Sequence, residues 1–409
     1  MYENVCRLVL ENGARLVYTG SKAVGNSLKR LEKDYPSFQS ETSLNEKIAF
    51  ELALTGSYVT KRTACIFTTD GIYEALDPLM SSAYTGVIGG FLVICIKEID
   101  EDVSPLGPFS KLPVMVTEDM QGLERVVPFA YTISEKYEIP VIVQVEADDS
   151  VRSKESKSHI QNSKFKIHNS IFNKNPGRWA ATPKFRFQLH KELNGKIERI
   201  REEFEIFEGN TRIINGKTGV ITDRHSSIQL FDDNVSMLHL ATVHPLPVRL
   251  VDDFIEEMKE VYIAEGRHPV IELQISDRQK VRKKGPGTIY TGEGKEETMF
   301  GFKVVRDTLG PGSSINMAHG IKKLDPGKMV LAITGEDHFF HSGMPAFVNT
   351  LYNNSSYLLL IMTNRKEREI GRILKGLEFN NFHHIDNVAE IGKFKKTRDL
   401  TVLFFKGTV

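Results

Sequence analysis

The sequence predicts an α/β protein made of three parallel-sheet domains, and three observations carry that expectation. Its 409 residues exceed what one ordinary core organises, at roughly 150 residues per domain. Short apolar, β-branched runs alternate with longer helical patterns along the chain. Those runs are apolar throughout rather than at every second residue, the mark of strands covered on both faces and therefore of parallel sheets.

Taken in order, ARLVYTG reads as a strand, LKRLEKD and EKIAFELALTGSYV as helices, and TACIFTT as a strand. IYEALDPLMSSAY follows, then the strands GFLVICI and LPVMVT, the helix GLERVVPFAYTISEKY and the strand IPVIVQV, closing a first domain over 1–146. Residues 147–215 are a connector: a polar, Lys/Ser-rich stretch leads into one long charged helix, FRFQLHKELNGKIERIREEFEIFEG. TGVITD, MLHLATV, LPVRLVDDFIEEMKE and VYIAEG make a second α/β unit over 216–275. SDRQKVRKKGPG is basic, but no aromatic residues interleave its charges, so it reads as a solvated linker rather than a nucleic-acid surface. A third unit, 276–409, has KMVLAIT, SYLLLIMTN and LTVLFFKG as strands and a helix through FGFKVVRDTL between the turns GPGTIYTGEG and LGPGSS. Neither turn fits the G-x-x-x-x-G-K-[ST] or G-x-G-x-x-G phosphate loops.

Lys+Arg and Asp+Glu both total 53, so no global field draws the chain to nucleic acid or a membrane surface. Cys6, Cys65 and Cys95, with no C-x-x-C pair, cannot build a disulfide framework or hold a four-cysteine iron–sulfur cluster. The longest apolar stretch, near VIGGFLVICI, is short of the roughly 18 to 20 residues of a membrane span. The expectation is a soluble, cytoplasmic protein.

Two stretches carry candidate chemistry. GEDHFFHSG, Gly335 to Gly343, stands where a buried strand ends and a helix begins. In a parallel sheet that is where ligands bind, and a helix N-terminus there offers free N–H groups to an anion. Gly335 would let backbone approach a phosphate, and a carboxylate of Glu336 or Asp337 could take one corner of a Mg²⁺ octahedron. Asn364 closes the next strand and could be a second ligand. His338 and His341, three apart and without a third partner, are a weak zinc pattern. The plainer reading is a solvated loop with Ser342 as helix cap and Pro345 in the first turn. In ETSLNEKIAFE, Ser43 and Glu46 fit the S-x-x-E capping box. A glutamate at a helix start can also donate and accept a proton where burial raises its pKa.

ETSLNEKIAFELALTGSYVTKR, LDPLMSSAYTGVIGGFLVI, NPGRWAATPKFRFQLHKELNGKIERIREEFE, ATVHPLPVRLVDDF, INMAHGIKK and ITGEDHFFHSGMPAFVNTLYN together resemble the alpha subunit family of indolepyruvate ferredoxin oxidoreductase, thiamin-diphosphate-dependent 2-oxoacid oxidoreductases. The likeness runs in order from Glu3 to Val409. It implies pyrimidine-binding, transketolase-C-like and diphosphate-binding domains, with thiamin diphosphate and Mg²⁺ as cofactors. By resemblance Glu46 contacts the cofactor's aminopyrimidine N1′, a position where a carboxyl group can assist proton transfer. Gly335, Glu336, Asp337, His338 and Asn364 fall in the diphosphate region, with Glu336 or Asp337 and Asn364 on the metal; the family's aspartate has become Glu336 or slipped to Asp337.

Other departures bear on function. Ser21 takes the place of a threonine expected near the substrate, with His341 a second substrate candidate; Thr69 stands where a histidine is usual. The loop after the VIC strand is shortened to KEIDEDVSPLGPF. EGKEETM, residues 293 to 299, replaces a Cys-Pro-Gly-Cys-Pro-His stretch, and the family's cluster-bearing C-terminal domain is missing from the sequence. With no iron–sulfur cluster in this chain, ferredoxin reduction needs a second subunit that carries clusters. The expected assembly is a homodimer working with such a partner on an aryl or other small 2-oxoacid. The alternatives are a non-catalytic paralogue that acts in binding or assembly, and a non-oxidative decarboxylase.

Overall fold

The computed structural model describes residues 1–59, 61–97, 102–146, 175–179, 182–224, 234–266, 268–275, 281–283, 298–299, 302–306, 311–327, 329–394 and 398–406. It divides into two compact units, Met1–Thr288 and Ile289–Val409. Its sheets are dominated by parallel pairs, with helices between the strands, so the α/β class expected from the apolar runs is the one observed.

The first unit holds two sheets. In chain order its strands are β1 (Leu16–Thr19), β2 (Gln39–Thr42), β3 (Thr63–Thr68), β4 (Phe91–Lys97), β5 (Val114–Thr117), β6 (Val141–Glu146), β7 (Thr211–Ile213), β8 (Thr218–Thr222), β9 (Val235–His239), β10 (Thr242–His244), β11 (Glu260–Ala264) and β12 (Val281–Lys283). One sheet has the order β10-β5-β6-β4-β3-β1-β2, parallel except where β10 runs against β5. Its central strand β4 is buried along all seven residues, which is why it reads as an unbroken apolar run. Full burial of each large side chain there, such as Phe91 or Ile94, contributes about 1.5–3 kcal/mol. The run ends at Lys97, whose buried ammonium meets Glu146 of neighbouring β6 at 3.1 Å.

The other sheet has the order β12-β11-β8-β9-β7, parallel but for β7 against β9. The basic stretch expected as linker supplies its edge strand, since Val281–Lys283 pairs with Val261–Ile263 of β11. An edge is the one place in a sheet where a charged strand is an asset, because it discourages further pairing.

The second unit holds one sheet of β13 (Thr298–Met299), β14 (Phe302–Arg306), β15 (Val330–Gly335), β16 (Leu358–Thr363), β17 (Phe382–Ile385) and β18 (Thr401–Lys406), in the order β13-β14-β15-β16-β18-β17. All its pairs are parallel except β13 with β14. The helix expected through FGFKVVRDTL is instead β14: Phe302–Arg306 pairs with β15. Adjacent β-branched Val304 and Val305 suit a pleated strand better than a helical turn, and five residues are too few for helical periodicity to decide. Of the replaced stretch 293–299, only Thr298 and Met299 lie within the described residues.

Candidate functional site

In the first unit the carboxyl ends of three adjacent strands build a slot around Glu46. β2 leads into the helix Glu46–Tyr58, β1 ends against Gly20, and β3 leads into the short helix Thr69–Glu74 that contains Gly71. A Cβ placed on Gly20 would stand 2.4 Å from the Glu46 carboxyl carbon and from Oε1. One placed on Gly71 would stand 2.8 Å from Glu46 Cγ and 3.0 Å from Oε1. The carboxyl group is therefore seated between two backbones that only glycine allows so close. Beneath it, burial pushes the Cys65 thiol of β3 well up, with the charges of Cys95 and Glu46 adding to the effect.

The helix start differs from the capping box read in the sequence. Asn45 is the cap: its side chain accepts from the Ile48 amide at 2.9 Å, while the Ser43 hydroxyl donates to Glu41 at 3.1 Å. Glu46 is thus the first helical residue and sits two places too early to be the box's returning glutamate. Ser21 precedes the helix Lys22–Leu31, where its amide donates to Thr19 Oγ1 at 3.0 Å and its side chain makes no cap hydrogen bond. Being next to Gly20, it lies on the same β1 turn that walls Glu46. Thr69 opens the helix that carries Gly71.

In the second unit Gly335 ends β15, and Glu336 lies buried at the start of a single turn, Glu336–His338. Glu336 Oε2 accepts three backbone amides from the neighbouring strand end: Asn364 at 2.9 Å, Arg365 at 3.0 Å and Lys366 at 2.8 Å. The two residues expected to share an ion, Glu336 and Asn364, are thus brought together at the ends of β15 and β16. Asp337 is exposed and pairs with the Lys366 ammonium, which also lies 5.5 Å from the Phe340 ring centre. His338 closes the turn. His341 Nδ1 is 2.6 Å from the Ser342 hydroxyl within a π-helical turn, Phe339–Gly343, so Ser342 is not the cap of the following helix Met344–Tyr352. Among the described residues no three His, Cys, Asp or Glu groups converge as a metal cluster, and the zinc pattern of the two histidines gains no third ligand.

Several residues of both sites were not singled out in the sequence. Gly20 and Gly71 are visible only as lone glycines in TGSK and TTDGIYE. Gly312, with φ of 74°, opens the helix Ser313–Leu324 in the second unit, and the Ser313 hydroxyl there is buried with no hydrogen-bond partner among the described residues. A Cβ on Gly312 would lie 2.5 Å from the Gly343 amide, so the LGPGSS turn packs against the π-helical turn. Elsewhere in the first unit a cavity of about 250 Å³ is lined by Thr117, Asp119, Arg125 and His239 among others; none of the sequence-predicted site residues borders it. No helix among the described residues is long and apolar enough to cross a membrane.

No protein-family profile matches the chain. Its sequence is 26% identical over 79% of its length to the indolepyruvate oxidoreductase subunit IorA of Pyrococcus abyssi, covering 67% of that protein. The IorA subunit of Archaeoglobus fulgidus is 23% identical, with 85% of this chain and 70% of that one aligned. Among solved structures, a 2-oxoglutarate:ferredoxin oxidoreductase from Magnetococcus marinus superposes with a TM-score of 0.51 at 12% identity, over 69% of this chain and 61% of that one. The likeness at that identity is one of fold, and the aligned part spans about three fifths of the solved chain. By sequence this chain is a diverged relative of the IorA subunits of indolepyruvate oxidoreductase.

Proposed function

We propose that the chain is the thiamin-diphosphate-binding subunit of a 2-oxoacid oxidoreductase, acting on an aryl or other small 2-oxoacid with a separate subunit that carries electron-transfer clusters. The observation that carries the reading is the Glu46 slot, a carboxyl group lodged between Gly20 and Gly71 at the ends of three adjacent parallel strands. A slot cleared of side chains on two sides suits a carboxyl group that must hold or pass a proton at a flat ring nitrogen. Thiamin diphosphate, when bound, supplies the group that accepts the 2-oxo carbon and stores its electrons. Glu46 would hold the proton at the ring nitrogen, and Ser21, on the Gly20 turn, would face the substrate.

In the second unit the donor set suits a diphosphate and its ion. The uncapped start of Ser313–Leu324, with its buried Ser313 hydroxyl, offers N–H and O–H donors to phosphate oxygens. Mg²⁺ takes oxygen ligands, and Glu336 with Asn364 supplies them from adjacent strand ends. The three amides on Oε2 fix the Glu336 carboxylate at that edge. Asp337, held by Lys366, is left out of the set. The three cysteines are each buried in the first unit, which supports placing the electron-transfer clusters on a partner.

Calorimetric titration of the full chain with thiamin diphosphate and Mg²⁺ tests the reading. Micromolar binding is expected in the native chain, weakened at least tenfold in Glu46→Gln and in Asn364→Ala. Absence of binding to the native chain, or equal binding in both variants, overturns it. If the cofactor binds, a search for the aldehyde product from indolepyruvate without an electron acceptor separates oxidoreductase from simple decarboxylase.

A further inference from the structure

Three carboxyl groups lie near one another in the first unit, two at adjacent strand ends and the third beside Gly266, at a place the proposed chemistry leaves unused. Asp223 follows β8 and Glu265 follows β11, adjacent parallel strands of the second sheet, while Asp102 comes from the chain beyond β4 of the first. Asp102 is 3% and Asp223 6% exposed, and Asp223 Oδ1 has no hydrogen-bond partner among the described residues. Asp102 Oδ1 accepts from the Ser104 amide at 2.9 Å, and its main-chain carbonyl accepts the Tyr73 hydroxyl at 3.0 Å. Glu265 accepts the Ile271 and Glu272 amides at 2.6 and 3.0 Å, at the start of the helix Val270–Ile275.

The charged surroundings come from both sheets. Arg224 crosses from the second sheet to Glu146 of the first at 3.4 Å, and Glu146 already holds Lys97. Glu272 adds a further negative charge from the helix, and His239 ends β9 beside Thr222. Gly266 makes the approach possible: a Cβ there would lie 3.1 Å from both Asp102 Oδ2 and Arg224 Nη2. Arg224 is shared with Glu146, so among the described residues the buried Asp102 and Asp223 and the half-buried Glu265 outnumber the cations beside them.

We propose that Asp102, Asp223 and Glu265 form a protonation-sensitive latch between the two sheets of the first unit, closed while the cluster holds a proton and loosened when it is fully ionised. The proton is exchanged with solvent. Burial first, and the Asp102 charge second, push Asp223 up to about 7 against the pull of Arg224. Burial likewise pushes Glu265 up to about 7, against the two amides it accepts. Both groups bind protons more tightly folded than unfolded. Their stabilising contribution is therefore complete below the ordinary carboxylate range and is lost as pH rises through about 7.

The test is thermal unfolding of the full chain between pH 5 and 9, comparing the native protein with Asp223→Asn and Glu265→Gln, whose amides imitate the protonated state. The native Tm is expected to fall by several degrees through neutrality; in either variant the fall flattens and Tm at pH 9 exceeds the native value. Parallel profiles in all three proteins overturn the latch. Should the variants not fold, amide exchange of the native chain at Ser104, Ile271 and Glu272 decides, after correction for intrinsic rates. Protection lost above pH 7 supports the latch, and pH-independent protection refutes it.

Discussion

Glu46 and Glu336 both stand at the carboxyl ends of parallel strands, yet the protein holds them by opposite means. Glu46 is seated by what is absent, since Gly20 and Gly71 withhold the two Cβ atoms that would occupy its slot. Glu336 is seated by what is present, three amides that converge on one oxygen. The first arrangement brings bare backbone up to the carboxyl group on two sides, as suits a group that meets a flat ring. The second supplies donors and fixes the carboxyl group's position, as a group that anchors a loop or an ion requires. The side chain is the same in both; under the proposed function, the backbone around it suits one to chemistry and the other to binding.

Breaking the Glu336 clasp should have the largest effect. Glu336→Ala leaves three amides of the 364–366 turn without their acceptor, and about 3 kcal/mol of second-unit stability is the expected loss in denaturant unfolding. Glu336→Asp is the sharper variant, because it restores the aspartate implied by the family resemblance but withdraws the carboxylate by one methylene. A loss near that of alanine means the turn has adapted to the longer side chain. An Asp variant as stable as the native chain would mean that the amides do not depend on that reach.

Filling the glycine slot comes next. Gly20→Ala places a methyl group against the Glu46 carboxyl at a distance that real contacts do not show, and Gly71→Ala does so more mildly. The obstructed atoms belong to the flexible Glu46 side chain, so either change displaces the carboxyl group rather than straining the core, at less than the cost of core overpacking, about 1–3 kcal/mol. Thiamin diphosphate affinity should fall in both variants if the slot is where the ring nitrogen meets Glu46. Titration of the cofactor into Gly71→Ala is the more informative experiment, since that chain is the less disturbed.

Much of this was legible in the sequence, and the limits have physical reasons. Continuous apolar runs such as GFLVICI marked buried parallel strands because both faces of those strands are covered. Asn364 reads as the close of the strand after Gly335, which puts it beside Glu336 at neighbouring strand ends, and they meet there through the Asn364 amide. Short elements escaped. β10 is three residues long and pairs with β5 from more than a hundred residues away, a contact no local pattern encodes. β14 has too few residues between its glycine turns for periodicity to distinguish strand from helix. The Glu46 slot escaped for a different reason: a glycine that clears space for a distant side chain leaves no periodic trace.

The smallest expected effect separates the two readings of the Glu46 helix start. A Ser43–Glu46 capping box would place the stabilising side chain at Ser43, whereas the observed cap is Asn45, accepting the Ile48 amide at 2.9 Å. Asn45→Ala should therefore cost about 1 kcal/mol, the usual loss for an N-cap, and Ser43→Ala no more than about half of that. The distinction reaches beyond stability. A glutamate engaged in a capping box returns its carboxylate to the cap amide, while a glutamate at the first helical position extends from the helix start. If Ser43→Ala proved the costlier change, Glu46 would be bound into its own helix and the Gly20–Gly71 slot would lose its occupant. If Asn45→Ala is the costlier, the cap is supplied by a neighbour and the carboxyl group remains where the three strand ends place it.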